Sequence, residues 1–157
     1  MFTPIRKTKK KHKWNEVSFL SALEFEHGMA DVETVRRVLT WIESAELGIW
    51  WGEGAIRGSF CPLIKHDGVT HFPFGIWTTG HVEIGFQYML SRPVFNLPTK
   101  RIELVEKLNA IDGVQLPTDS LQRRPKFPLA ALNREAALHQ FLGVWDWFVQ
   151  EIRREHV

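Results

Sequence analysis

The segment from Ser59 to Leu90 constrains the fold of this chain more than any other. It reads SFCPLIKHDGVTHFPFGIWTTGHVEIGFQYML, in which large apolar residues alternate with polar or small ones. A period of two predicts β-strands with one buried face. Two turn sequences, HDG at 66–68 and TTG at 78–80, divide the segment, and each ends in the glycine that a three-residue hairpin loop needs. The segment therefore predicts a three-stranded antiparallel meander.

The two loops set a register for this meander. They pair Trp77 with His81, Phe74 with Ile84, and Phe60 with Phe74. One face is then almost wholly apolar, and a shift of one residue would destroy this arrangement. The opposite face is small at its centre and polar or aromatic at its rim. Its predicted residues are Ser59, Cys61, Lys65, His71, Pro73, Gly75, Trp77, His81, Glu83, Gly85 and Gln87.

Helical spacing of apolar residues flanks the meander on both sides. A first helix is predicted over 14–27 with Asn15 as a candidate cap, a second helix is capped by Asp31, and a third runs from Thr99 to about Ala110. An irregular, proline-rich crossing follows, and Asn133 caps a long last helix. The predicted fold class is α+β, with two N-terminal helices, a three-stranded antiparallel meander, and then two or more helices including a long C-terminal helix.

Length and composition bound the class of protein. The chain has 157 residues, which favours a single domain over residues 14–157 that follows a flexible basic arm at 1–13. No stretch is long and apolar enough for a membrane span, and the basic N-terminus lacks the apolar segment of a signal peptide. Cys61 is the single cysteine, which excludes an intramolecular disulfide. We expect a cytoplasmic protein that does not act in a membrane.

The charge of the chain is unevenly distributed. Residues 1–13 hold six of the 20 basic residues and no acid, so the remainder has 14 basic against 18 acidic residues, a balance of about −4. The arm either contacts nucleic acid electrostatically or is a solvated tail. A second basic patch, QRRPKFP at 122–128, either contacts phosphate or pairs with the acidic body. The predicted nucleic-acid contacts are Lys7, Lys9, Lys10, Lys11, Lys13, Arg123, Arg124 and Lys126.

The stretch WWGEGAIRG at 50–58 leads into the meander. It is either a binding loop that lays an aromatic ring over a flat ligand, or only the entry of the chain into the sheet. We predict that Trp51 lies beside a floor formed by Gly75 and Gly85, with Trp77 and His81 on its rim. The predicted ligand-binding residues are Trp51, Arg57, His71, Trp77, His81, Glu83 and Gln87.

The sequence offers no catalytic constellation. In the predicted register His71 and His81 are too far apart to share a metal ion, and Cys61 has no context that would activate a thiol. No catalytic residue, metal site or cofactor is therefore predicted. Enzymatic activity stays open, and a non-enzymatic role is favoured.

Three strings, GSFCPLI, FPFGIWTTGHVEIGFQYML and RRPKFPLAAL, resemble a domain of unknown function in uncharacterised bacterial proteins, found alone or beside restriction-type nuclease segments. The resemblance covers roughly residues 32–153 and transfers no catalytic residue. The order of elements is also similar to YdhG/YjbR-like domains, by architecture only. The basic segments and the aromatic sheet face predict a non-enzymatic, nucleic-acid-associated binding module. The resemblance adds a role in bacterial genome defence, with a nuclease or other protein as partner. The alternative is a protein-interaction or small-ligand-binding domain that uses the Trp/Gly sheet face.

Overall fold

The structure is a computed structural model and describes residues 13–154. Five α-helices, six β-strands and one 3₁₀ turn are formed within these residues. In chain order they are α1 (Glu16–His27), α2 (Met29–Ser44), β1 (Gly48–Trp51), β2 (Ser59–His66), β3 (Val69–His71), β4 (Phe74–Trp77), β5 (His81–Ile84), α3 (Phe86–Met89), α4 (Pro98–Asn109), β6 (Lys126–Pro128), the 3₁₀ turn (Leu129–Leu132) and α5 (Glu135–Arg154).

The strands form one antiparallel sheet in the order β1-β2-β4-β5-β6, with β3 paired to the far end of β2. The predicted α+β class and the long C-terminal helix are confirmed. The predicted three-stranded meander is wrong in its extent, because the sheet has six strands. Two of them, β1 and β6, come from segments that the sequence analysis interpreted as loops.

The predicted register is confirmed for one hairpin and wrong for the next. Between β4 and β5, Phe74 pairs with Ile84 as predicted. Between β2 and β4, however, Phe60 pairs with Ile76 and not with Phe74. This difference is an even number of residues, so Phe60 still faces the apolar side of the sheet. Half of the difference comes from the first turn, which has two residues where three were predicted: Asp67 and Gly68 have φ angles of 51° and 76°. The other half comes from a break in the ladder between β3 and β4.

The two-residue turn also moves His71 to the other face. In the β2–β3 pair His71 lies opposite Ile64, which is buried, so both side chains point to the core side. The prediction that His71 belongs to the polar face is therefore wrong. The ladder breaks at residues 72 and 73, and this break restores the predicted facing before β4 begins.

The last predicted strand is shorter than expected. Strand β5 ends at Ile84, and α3 begins at Phe86, so Gln87 lies on a helix. Gly85 forms the corner: its N–H donates to the carbonyl of Pro73 at 3.0 Å, and a Cβ there would lie 2.6 Å from the carbonyl oxygen of Phe72. A side chain at this position would collide with backbone, so glycine is required.

Helices cover the apolar face of the sheet. Helix α5 contacts β4 through aromatic rings, with the Phe74 centroid 5.1 Å from that of Phe141 and 5.0 Å from that of Trp145. Helix α1 contacts β2 through Phe19, whose centroid is 5.1 Å from that of Phe60. We call the opposite side of the sheet, which carries Cys61, Gly75, Trp77 and Glu83, the open face.

Three polar residues predicted to begin helices have different roles. Asn15 caps α1 as predicted, in a reciprocal capping box with Ser18. Helix α2 already begins at Met29, so Asp31 lies inside its first turn. There the carboxylate of Asp31 accepts a 2.9 Å hydrogen bond from the side-chain amide of Asn133, which links the start of α2 to the segment before α5.

Candidate functional site

One residue from each of five strands forms a row across the open face. The row runs Trp50, Cys61, Gly75, Glu83, Lys126. The ladder pairs Trp50 with Cys61, Gly75 with Glu83, and Glu83 with Lys126. Cys61 and Gly75 are neighbours because the residues before and after them, Phe60 and Ile76, are paired. The middle of the row is small and its ends are large or charged, so the row leaves a notch in the sheet surface.

A cavity of about 410 Å³ lies over this notch. Its volume falls in the range typical of small-molecule sites. The aromatic side chains that line it are Trp50, Phe72, Trp77 and Tyr88. Glu83 and Arg124 are its charged residues, and both lie on the β5–β6 side. The site is therefore mostly apolar, with one polar end.

Gly75 keeps the floor of the cavity open. A Cβ at Gly75 would lie 3.3 Å from the carbonyl oxygen of Phe60, and among the described residues no other atom beyond its chain neighbours lies within 4 Å of that point. A side chain there would therefore project into the cavity space. The prediction of a glycine floor on this face agrees with the observed lining, which includes both Gly75 and Gly85.

Two arginine side chains and two aromatic rings pack together at the polar end of the cavity. The guanidinium of Arg124 donates to the Tyr88 hydroxyl at 2.8 Å and lies 3.7 Å from the carboxylate of Glu83. The centroids of the Tyr88 and Phe72 rings are 5.7 Å apart. The guanidinium of Arg124 lies over the Tyr88 ring, 5.6 Å from its centroid, and that of Arg92 lies over the Phe72 ring, 5.0 Å from its centroid. Cation–π contacts on both rings restrain this wall of the cavity.

The adjacent tryptophans of β1 face opposite sides, because successive side chains of a strand alternate. Trp51 pairs with Phe60 and points to the core side, where its ring centroid is 5.9 Å from Phe19 and 5.2 Å from Phe60. The prediction that Trp51 lies over the glycine floor is wrong. Trp50 is on that side, lines the cavity and is 49% exposed.

The glycines that follow β1 have a structural explanation. A Cβ at Gly58 would lie 2.5 Å from the ring of Trp14, and a Cβ at Gly54 would lie 2.5 Å from the carbonyl oxygen of Arg57. The indole N–H of Trp14 donates to the carbonyl of Gly54 at 2.9 Å. The loop at 52–58 thus packs over Trp14. This favours the interpretation that the stretch is the entry of the chain into the sheet and not a binding loop.

Of the residues predicted to bind a ligand or nucleic acid, three line the cavity: Trp77, Glu83 and Arg124. Arg124 was predicted only as part of the basic patch. The other predicted ligand-binding residues do not line the cavity. Trp51 and His71 are on the core side, Arg57 is exposed in the loop, His81 lies near Thr79 with 3.1 Å between imidazole and hydroxyl, and Gln87 is exposed on α3.

The structure describes only some of the predicted nucleic-acid contacts. Lys13, Arg123 and Lys126 are exposed, and Lys126 lies opposite Glu83 in the β5–β6 ladder. Lys7, Lys9, Lys10 and Lys11 lie outside the described residues. The role of all of them in nucleic-acid binding stays a prediction.

The sequence analysis missed Trp50, Phe72 and Tyr88 as lining residues. Alternation within IWW would have separated Trp50 from Trp51, once β1 had been recognised as a strand. Phe72 reaches the open face because the two-residue turn places His71 on the core side and the next residue on the other. Tyr88 reaches it because α3 turns the chain back over the sheet.

Cys61 lies in the row beneath the cavity with its side chain buried. Burial raises the pKa of the Cys61 thiol to about 12, a hydrogen bond with the backbone of Phe74 opposes this shift, and the charge of Glu83 adds to it. The charge of Glu83 acts on the Cys61 thiol across Gly75, which lies between them in the row and has no side chain.

We expect Cys61 to resist alkylation in the folded protein. The thiolate is the reactive form, so a pKa of about 12 in place of 9.0 lowers the labelling rate at pH 8 by about 1000-fold relative to the unfolded chain. Iodoacetamide labelling followed by mass spectrometry, with and without urea, measures this ratio. Comparable rates in the two states would contradict the buried placement of the thiol.

Among residues 13–154 no group of three or more His, Cys, Asp or Glu side chains is arranged to hold a metal ion. None of the helices in this range is long and apolar enough to cross a membrane. The chain matches no protein-family model, no curated protein and no solved structure. The resemblance to a bacterial domain of unknown function therefore stays a prediction.

Proposed function

We propose that this protein is a binding module that holds one flat heteroaromatic ring in the cavity of its open face. The observation that carries the proposal is the row across the sheet, in which Trp50 and Glu83 bound a gap over Cys61 and Gly75. A planar ring fills such a gap without displacing side chains. Stacking of a base on an aromatic side chain contributes about 1–3 kcal/mol.

The chemistry of the walls favours a ring that is apolar on its faces and polar at one edge. Trp77 lies two residues from Gly75 on the same strand and faces the same side, so its indole borders the floor. Glu83 lies directly opposite Gly75, and Arg124 is beside Glu83. A ring over Gly75 therefore has aromatic neighbours at its faces or sides and charged groups at one edge.

The predicted association with nucleic acid is compatible with this site. Arg124 lines the cavity, and Lys126 follows in the row, so two of the predicted phosphate contacts flank the polar end. A base held in the cavity would place its sugar and phosphate near these cations. In this form of the proposal the ring is a nucleobase. The predicted nuclease partner and the role in genome defence stay predictions.

Tryptophan fluorescence tests the proposal, since Trp50 and Trp77 both border the cavity. We expect a saturable change on titration with at least one of the four ribonucleosides. Trp77→Ala removes a stacking surface, so it should weaken this binding by about tenfold or more. Trp147→Ala is the matched control, because Trp147, on α5, packs against Phe95 and does not line the cavity.

Two results would contradict the proposal. The first is the absence of any saturable change with all four nucleosides in the wild-type protein. The second is equal affinity in the wild type and Trp77→Ala, with both proteins folded by circular dichroism, because binding would then occur elsewhere.

A further inference from the structure

The polar end of the cavity determines which heteroaromatic ring fits, and we infer that this ring is guanine, whose two adjacent N–H donors bind the carboxylate of Glu83. This inference rests on the proposed function and adds the identity of the base. It follows from three features of the site: the position of Glu83, the hydrogen bonds that its oxygens lack, and the position of Arg124.

Glu83 faces the edge of any ring that lies on the floor. Its Cα is paired with that of Gly75, and side chains of directly paired residues are about 4.5–5.5 Å apart at Cβ. Since Gly75 has no side chain, the space beside the Glu83 carboxylate belongs to the cavity. The Glu83 side chain is 15% exposed and lines the cavity, so its carboxylate is accessible to a ligand there.

The carboxylate of Glu83 has acceptor capacity that the protein does not use. Within residues 13–154 no hydrogen bond ends on the carboxylate of Glu83, and its ion pair with Arg124 at 3.7 Å is longer than a hydrogen bond. A mostly buried carboxylate is stabilised by donors. The two oxygens of a carboxylate lie side by side and accept best from two parallel N–H groups.

Guanine is the base that presents two adjacent donors, the ring N1–H and the exocyclic N2 amino group. Adenine and cytosine each place one amino donor beside a ring-nitrogen acceptor, and uracil places its one N–H between two carbonyl acceptors. A carboxylate repels an acceptor at short range, since neither group has a proton to share. Glu83 therefore selects guanine from the four bases.

Arg124 completes the match at the third position of the guanine edge. The carbonyl oxygen O6 of guanine follows N1–H, and it requires a donor. The guanidinium of Arg124 lies beside Glu83 and uses one N–H group on the Tyr88 hydroxyl, which leaves others for a ligand. The order donor, donor, acceptor on guanine thus faces the order acceptor, acceptor, donor on Glu83 and Arg124.

A change of preference on substitution of Glu83 tests this inference. We expect the wild-type protein to bind guanosine about tenfold or more tightly than adenosine, and inosine, which lacks the N2 amino group, to bind about tenfold more weakly than guanosine. In Glu83→Gln the side-chain amide has one acceptor and one donor. It should weaken guanosine binding about tenfold and strengthen binding of xanthosine, which has a carbonyl in place of the amino group.

The control is Glu106→Gln, which makes the same substitution on the exposed side of α4, away from the cavity. It should leave both affinities unchanged. A gain of xanthosine binding in Glu83→Gln is a readout that a poorly folded variant would not give. Fluorescence titration of wild type and both variants with guanosine, inosine, adenosine and xanthosine gives all the required affinities.

Oligonucleotides distinguish the two sources of guanine. A short oligothymidylate with one central guanine should bind through the same site, and Glu83→Gln should weaken its binding. Tighter binding of this strand than of guanosine, with a steep dependence on salt, identifies single-stranded nucleic acid as the source. Equal affinity identifies free guanine nucleosides or nucleotides. Both results support recognition of guanine.

The failure of this inference differs from the failure of the proposed function. If adenosine or inosine binds as tightly as guanosine and Trp77→Ala abolishes that binding, recognition of guanine is overturned and a ring-binding cavity stands. Unchanged preferences in Glu83→Gln overturn it as well. If none of the nucleosides binds to the wild-type protein, both proposals fail.

Discussion

Replacing Phe74 by alanine is expected to lower the free energy of unfolding by about 3–5 kcal/mol. Phe74 is 1% exposed and lies between the sheet and α5, in ring contact with Phe141 and Trp145. Its removal leaves a cavity among rings that belong to different elements and cannot easily close it. Urea denaturation followed by circular dichroism measures the loss.

Phe25→Ala is the matched control for this substitution. Phe25 is on α1 and 91% exposed, so the same truncation should change the free energy of unfolding by no more than about 0.5 kcal/mol. If Phe74→Ala costs less than about 1 kcal/mol, the contact of α5 with this face of the sheet is incorrect. The cavity on the opposite face would then be in doubt too.

The parts of the fold that were predictable depend on local patterns. The cap of α1 was predictable because Asn15 is a preferred capping residue and comes just before apolar residues at helical spacing. The β4–β5 pairing was visible because a three-residue turn ending in Gly80 fixes it, and Phe74 then lies opposite Ile84. In each case a few consecutive residues contain all the necessary information.

The parts of the fold that were not predicted depend on pairing between strands that are distant in the sequence. Strands β1 and β6 have four and three residues, and each is defined by its pairing with a strand elsewhere in the chain. Their sequences, GIWW and KFP, are too short to show a period. Without β1 there was no reason to assign Trp50 and Trp51 to opposite faces, and the wrong tryptophan was chosen.

The residues of the candidate site follow the same rule: those in the correctly predicted hairpin were found, and those placed by distant pairing or by α3 were not. Trp77 and Glu83 were found because they lie in the hairpin whose register was correct. Arg124 was noticed for its charge, but its position beside Glu83 depends on the pairing of β6 with β5. Tyr88 was missed because periodicity continued the strand through a position where the chain instead begins α3.

His71 shows how one turn residue changes a chemical prediction. A loop of three residues would have placed its imidazole on the open face, and the observed loop of two places it in the core beside Ile64. There the pKa of His71 is lowered to about 4, first by burial and then by the positive charges of Arg92 and His66. The imidazole is therefore neutral in the folded protein at neutral pH.

Acid should destabilise the protein through this histidine. The unfolded chain binds a proton near the ordinary pKa of 6.5, whereas the folded chain binds it near pH 4, so the unfolded state holds more protons between these values. The contribution of His71 is fully present above pH 6.5 and is lost as the pH falls toward 4. Over this interval the free energy of unfolding should decrease by about 3 kcal/mol.

Comparison with substituted proteins isolates this contribution from that of the carboxylates. His71→Gln removes the titrating group, so the difference in unfolding free energy between pH 7 and pH 4 should be about 3 kcal/mol smaller than in the wild type. His139→Gln, at an exposed position of α5, should keep the full wild-type difference. An NMR titration gives the pKa of His71 in the folded state directly. A value near 6.5 would mean that the imidazole reaches solvent, as it would if the first turn had three residues and His71 lay on the open face.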